Sequence, residues 1–136
     1  MSGQTPQGLL VLLVEDHPDV AASTAMILEY FGYQVAVACD GPAAIAAVRV
    51  QKPDMALLDI GLPKMDGCEV ARQLRGMCHE KLVMIGVSGY GGAEQEERCA
   101  AAGIEMLLLK PVDPEKLRLV LQERQEVASQ CGEPGA

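Results

Sequence analysis

Short unbroken apolar runs alternate along this chain with longer segments whose apolar residues recur every three or four positions. The runs Leu9–Val14, Tyr33–Ala38, Met55–Asp59, Leu82–Val87 and Ile104–Leu109 read as strands buried on both faces. Between them the spacing turns helical. Val20, Thr24, Ile27, Leu28 and Phe31 form one stripe after His17-Pro18, and Gly32 ends it. Asp40-Gly41-Pro42 opens a short alanine-rich helix through about Val50, which Pro53 terminates. A third helix from about Asp66 places Val70, Ala71 and Leu74 on one face, and a fourth, charged one spans Glu94–Ala102 and stops at Gly103. Asp113 caps a fifth, with Pro114 in its first turn and Leu117, Val120 and Leu121 inward.

Strands that are each followed by a helix, with no long gap, predict a single α/β domain. Short connections and right-handed crossovers make it a (βα)5 doubly wound, five-stranded parallel sheet with helices on both faces. Residues 1–8 read as a polar extension, residues 9–128 as the domain, and residues 129–136 as a small, polar, frayed tail. Ligands of such sheets bind outside the carboxyl ends of the strands.

Composition narrows the picture. Of 136 residues, 49% are apolar and 22% charged, as in an ordinary folded domain rather than a disordered chain. No apolar run approaches the roughly 18–20 residues of a membrane span, and the polar start lacks the basic residues of a secretory signal. A net charge of −8 argues against a nucleic-acid surface. Cys39, Cys68, Cys78, Cys99 and Cys131 are odd in number, widely spaced and without a C-x-x-C pair, so neither a disulfide framework nor a zinc site is expected. Cys39, Cys68 and Cys99 lie in or beside apolar segments, where a thiol acts as a small hydrophobe. A reducing cytoplasm is the expected compartment.

The residues just past the strands carry the chemistry. Glu15-Asp16 follow the first run, Asp59 closes the third, Ser88 follows the fourth and Lys110 the fifth. All fall on one sheet edge, with the first and third strands expected side by side. Three crowded carboxylates raise one another's pKa unless a cation relieves them. Mg2+ suits such oxygen ligands and keeps positions open for water and a phosphate oxygen, and with Lys110 it would offset all three charges. A carboxylate that attacks phosphorus forms an aspartyl phosphate. Asp59, held by a turn containing Gly61 and Pro63, suits the nucleophile, and the adjacent pair Glu15-Asp16 suits the metal.

These residues resemble a family, the receiver domains of two-component response regulators. The resemblance covers about Leu9 to Gln125 and rests on Glu15-Asp16, the segment from Asp59 through Ile60-Gly61-Leu62-Pro63-Lys64-Met65-Asp66 to Gly67, Val87-Ser88-Gly89, and Lys110-Pro111. It implies the flavodoxin-like receiver topology with strand order 2-1-3-4-5. It further implies that Asp59 accepts a phosphoryl group from the phosphohistidine of a histidine kinase or phosphotransfer protein. Asp16, Asp59 and the Gly61 carbonyl would bind Mg2+ directly and Glu15 through water, while Ser88 and Lys110 would contact the phosphoryl oxygens. Gly89 fits a position that must stay small, and the Lys110-Pro111 bond is expected to be cis. The chain departs from the pattern at Leu107, where most members carry an aromatic that turns inward on activation, and at Val112, which replaces a frequent aromatic. Its acidic pair is Glu-Asp rather than Asp-Asp. Gly61 and Tyr90 occupy positions that tune aspartyl-phosphate hydrolysis in the family, and a bulky Tyr90 would shield the site from water.

Taken singly, each feature has a plainer reading. Glu15-Asp16 could cap a helix, Asp66 is the expected N-cap of the third helix, Ser88 could be a loop hydroxyl, Lys110 a surface lysine and Pro111 a trans stop. His17 and His79 read as loop residues, Glu94–Arg98 as a solvated helix face, and Met26, Met55, Met65, Met77, Met84 and Met106 as packing. Joint occurrence at one edge favours the switch. A phosphatase or phosphotransferase with an aspartyl-phosphate intermediate would want a second acid at position 61, where glycine stands. A receiver-like interaction module without phosphorylation is the other alternative, and a flavodoxin-type cofactor binder would be repelled by Glu15-Asp16. The expected activity is limited to the chain's own phosphorylation and dephosphorylation. No output domain fits in these residues, so the signal would pass to a downstream protein target through the fourth helix, fifth strand and fifth helix. The chain would be a monomer or a phosphorylation-dependent dimer, alone or as part of a hybrid sensor kinase, with no nucleic-acid or membrane partner.

Overall fold

The computed structural model describes residues 9–62, 65–78 and 82–131, with the side chains of Cys78 and of 125–131 left aside. Five strands, β1 (Leu10–Val14), β2 (Gln34–Ala38), β3 (Met55–Asp59), β4 (Val83–Ser88) and β5 (Met106–Leu109), form one parallel sheet in the order β2-β1-β3-β4-β5. Between and after them run α1 (Pro18–Tyr30), α2 (Gly41–Val50), α3 (Gly67–Cys78), α4 (Ala93–Ala101) and α5 (Pro114–Cys131). Every expected element is present: β3 has the expected bounds, β1, β2 and β5 start later, and β4 is shifted by one residue to end at Ser88. The last helix continues to Cys131, past the expected limit at 128. His79, Pro63 and Lys64 lie outside the described residues.

The unbroken apolar runs are explained by two cores. Val11, Leu13, Met55, Leu57, Val83, Ile85 and Leu108 pack on one side with Leu28, Leu117, Val120 and Leu121 of α1 and α5. Leu12, Val14, Ala56, Leu58 and Met84 point the other way, against Ala44, Val70, Leu74 and Cys99 of α2, α3 and α4. Alternate side chains of one strand thus feed opposite layers, which is why central strands show no polar alternation. The helix ends follow local chemistry. Asp40 accepts a hydrogen bond from Ala43 N (2.8 Å) and Asp113 one from Lys116 N (3.0 Å), as N-caps do. Gly32 (φ 104°) and Gly103 (φ 94°) end α1 and α4 in the left-handed region that glycine enters without strain.

Some packing expectations fail. Met26 and Met77 are exposed, while Met55 and Met84 are in the core. Val20 is exposed as well, because it lines an open cavity of about 510 Å³ between α1 and α5. Cys39 is exposed just beyond β2, an edge strand with one open flank. Cys68 and Cys99 are buried, their Sγ atoms 3.9 Å apart across the α3–α4 seam, and burial pushes the Cys99 thiol up to about 11. Among the described residues no helix is long and apolar enough to cross a membrane.

One close approach ties the fold to its working edge. A Cβ on Gly67 would lie 2.6 Å from the Asp59 carbonyl oxygen and 2.7 Å from Ile60 Cα, and neither backbone atom can yield. Gly67→Ala is therefore expected to cost about 1–3 kcal/mol, as overpacking does, read as a lower urea midpoint with an unchanged m-value.

Candidate functional site

The parallel ladder brings the ends of β1, β3, β4 and β5 to one rim. Glu15 N donates to Ala38 O (3.0 Å), Ile60 N to Val87 O (2.9 Å) and Lys110 N to Ser88 O (2.8 Å), so each residue past a strand is pinned to the neighbouring strand. Glu15 and Asp59 are buried, Asp16 is half-buried, and carboxylate oxygens of all three lie within 4.8 Å of one another. Lys110 reaches across them, its Nζ 3.2 Å from Asp59 Oδ2 and 3.8 Å from Glu15 Oε1. Asp59 Oδ1 accepts from Gly61 N (3.1 Å) and Glu15 Oε2 from His17 N (3.2 Å). The Lys110-Pro111 bond is cis, as expected.

Among the described residues the acidic cluster has more negative than positive charge. Burial raises the Glu15 pKa, and the Asp59 charge raises it further. The His17 N–H and Lys110 oppose this in part, while Asp16 adds to it. Three carboxylates facing one ammonium form a donor set suited to a hard divalent cation, and their crowding is the strain such an ion would relieve. Beside them lies a cleft of about 500 Å³, lined by Glu15, Asp16, Asp59, Ser88, Tyr90 and Lys110.

Other expected residues are present in modified form. Ser88 is buried at the cleft, and its hydroxyl donates to Tyr90 O (2.7 Å) and accepts from Gln95 Nε2 (3.2 Å) and Tyr90 N (3.3 Å). Gly61 meets Asp59 through its N–H. A Cβ on Gly89 would meet nothing within 4 Å, so the smallness of that residue serves no contact in this state. Tyr90 stands at the cleft mouth with 73% of its surface exposed. Leu107 is half-buried and packs on the α2–α4 side, where a Cβ on Gly86 would approach its Cδ1 to 3.2 Å.

The segment Glu94–Arg98 is not simply the solvated face that its composition suggests. Gln95 is buried, and its Oε1 accepts from Arg98 (3.0 Å). Arg98 also donates to Asp66 Oδ2 (2.6 Å), while Asp66 Oδ1 takes the Cys68 N–H (2.6 Å) at the start of α3, in keeping with the expected N-cap role. Burial works against the Asp66 charge. The bonds from Arg98 and the Cys68 amide outweigh it and hold the carboxyl below its ordinary range. Spacing offered a signal for Gln95, since positions 95, 99 and 102 share one helical face and the other two are Cys99 and Ala102.

Comparison with known proteins agrees with this architecture. Residues 11–122 match the family model of the response regulator receiver domain. The sensor protein EvgS of Escherichia coli (strain K12) is 31% identical over 123 residues, covering 90% of this chain and 10% of that protein. The probable transcriptional regulatory protein TcrX of Mycobacterium tuberculosis is 34% identical over 116 residues, covering 85% of this chain and 49% of that protein. The chain thus spans a tenth to a half of the length of these relatives. Among solved structures, a CheY-like receiver domain protein from Methanospirillum hungatei JF-1 superposes with a TM-score of 0.85 at 29% identity, covering 90% of this chain and 97% of that one. Sheet order, acidic rim and sequence match converge: the chain belongs to the response regulator receiver domain family of two-component systems.

Proposed function

We propose that the chain is a phosphoacceptor switch whose nucleophile is Asp59. The observation that carries this reading is the rim itself, where Asp59 lies within 4.8 Å of two further carboxylates and 3.2 Å from the Lys110 ammonium. An Asp59 carboxylate oxygen attacks the phosphorus of a phosphohistidine, the P–N bond breaks, and the imidazole nitrogen leaves with the bonding pair and takes up a proton. The product is an acyl phosphate on Asp59, which water later cleaves back to carboxylate and inorganic phosphate. Lys110 is placed to balance charge on the phosphoryl oxygens, and Ser88 reaches them once its hydroxyl turns from Tyr90 O.

Glu15, Asp16, Asp59 and the Gly61 carbonyl would hold Mg2+. When bound, the ion neutralises carboxylate charge and screens the incoming phosphoryl group. The donor is a histidine kinase or phosphotransfer protein, and the phosphorylated form changes contacts with a downstream protein in the cytoplasm. No turnover of an external substrate is part of this reading. Gly61, standing where a phosphatase would place its second acid, favours it over the enzyme alternative.

Acetyl phosphate with Mg2+ should add one phosphoryl group by intact mass, and Asp59→Asn should abolish the adduct. An adduct that survives this substitution, or one that forms equally in EDTA, would refute the proposal. Tyr90→Ala is expected to shorten the adduct's lifetime several-fold by opening the cleft mouth, and an unchanged lifetime would show that the ring shields nothing. Glu15 provides a test by pH. Its folded-state pKa lies above the unfolded value, so its charge costs stability above the folded pKa, and the cost vanishes below the unfolded value of about 4.3, where both states are protonated. In metal-free buffer Glu15→Gln should raise Tm by a few degrees at pH 7 and leave it unchanged near pH 4. Millimolar Mg2+ should then raise Tm more in the unaltered chain than in the variant.

A further inference from the structure

Four side chains run along one side of the cleft, from Ser88 at the end of β4 to the first turns of α4 and α3. Gln95 Nε2 donates to Ser88 Oγ (3.2 Å), Arg98 donates to Gln95 Oε1 (3.0 Å), and the other terminal nitrogen of Arg98 donates to Asp66 Oδ2 (2.6 Å). Asp66 in turn holds the first turn of α3 through the Cys68 N–H. The chain begins deep and ends in water. Ser88 and Gln95 are 3% and 8% exposed, whereas the Arg98 and Asp66 side chains are 45% and 47% exposed.

A buried primary amide must keep its hydrogen bonds, because losing one without solvent costs more than making it gained. Ser88 has a single hydroxyl proton, now given to Tyr90 O. It cannot serve that carbonyl and a phosphoryl oxygen together. Reaching a phosphoryl oxygen requires Ser88 to rotate about its Cα–Cβ bond, which carries Oγ away from Gln95 Nε2. The amide must then re-aim, and Oε1 on the same rigid group moves away from Arg98. The break then appears where it is least costly, at the exposed Arg98–Asp66 pair, since an exposed ion pair gives up little on separating. Resting on the phosphoacceptor reading of Asp59, we infer that Gln95 is a positioning residue that reports the orientation of the Ser88 hydroxyl to α4 and, through Arg98 and Asp66, to the start of α3. The polar relay acts where Leu107 has no polar atom to take part.

The relay also works in reverse. By holding Ser88 in its present orientation, Gln95 opposes the switched state, so removing it favours phosphoryl-like ligands. The test uses the full chain, isotope-labelled, titrated with beryllofluoride and Mg2+ and followed by backbone amide shifts. In the unaltered chain, Ile60 and Gly61 beside the nucleophile and Cys68 and Arg98 at the end of the relay should all move. In Gln95→Leu the shifts at Ile60 and Gly61 should persist, those at Cys68 and Arg98 should largely vanish, and beryllofluoride should bind about fivefold tighter. Glu97→Gln, an exposed neighbour on the same helix, should behave as the unaltered chain. A merely structural role for Gln95 would lower Tm without separating the two sets of shifts. Should Gln95→Leu fail to fold, Arg98→Gln cuts the chain at its exposed end and should silence Cys68 alone. Shifts at Cys68 and Arg98 that survive Gln95→Leu, or an unchanged affinity in that variant, would overturn the relay. Absence of shifts at Ile60 and Gly61 in the unaltered chain would overturn the phosphoacceptor reading instead, and the relay with it.

Discussion

Crowded negative charge at the carboxyl edge of the sheet is the constraint that organises this molecule. Glu15, Asp16 and Asp59 are brought together by backbone pairing, and Glu15 and Asp59 are buried where water cannot fully screen them. One ammonium group, Lys110, faces both buried acids. A rim in this condition is a donor set suited to a hard cation. The surrounding fold holds it against its own repulsion. Glu15, Ile60 and Lys110, each just past a strand, are hydrogen-bonded to the neighbouring strand, and two apolar cores clamp the sheet from both sides.

Much of this was legible in the sequence because buried parallel strands leave an unusual trace. Val11 and Leu13 face α1 and α5 while Leu12 and Val14 face the other layer, so both phases of the strand must be apolar and the run shows as unbroken. Once the strands are placed, parallel topology fixes which acids share an edge without any knowledge of side-chain contacts. Side-chain exposure at the margins was not legible. Val20, Met26 and Met77 obey a helical or compositional pattern yet are exposed, since a pattern along one helix does not tell how closely its neighbours cover each position.

Polar side chains that act through one another were the other gap. Glu94 to Arg98 is a dense polar stretch, and composition favours a solvated surface. Gln95 alone of that stretch turns inward, because it falls on the face that carries Cys99 and Ala102 into the core. Asp66 was foreseen as a cap and does hold the Cys68 amide, but its second oxygen spans to a helix 32 residues away in sequence. Local rules find the first kind of bond. The second depends on how α3 and α4 come to lie together, which no short window of sequence contains. Ser88 illustrates the same limit, for its position was predictable and the direction of its hydroxyl was not.

The paired thiols in the α3–α4 seam bear on the chemical durability of the domain. Cys68 and Cys99 sit near enough to touch, yet apolar surroundings hold Cys99 at about 11, so almost none of it is thiolate at neutral pH. Thiolate is the form that attacks disulfides and peroxides. Cys99 is thereby kept from serving as the attacking thiol in a disulfide with Cys68, a bond that would tie α3 to α4 covalently.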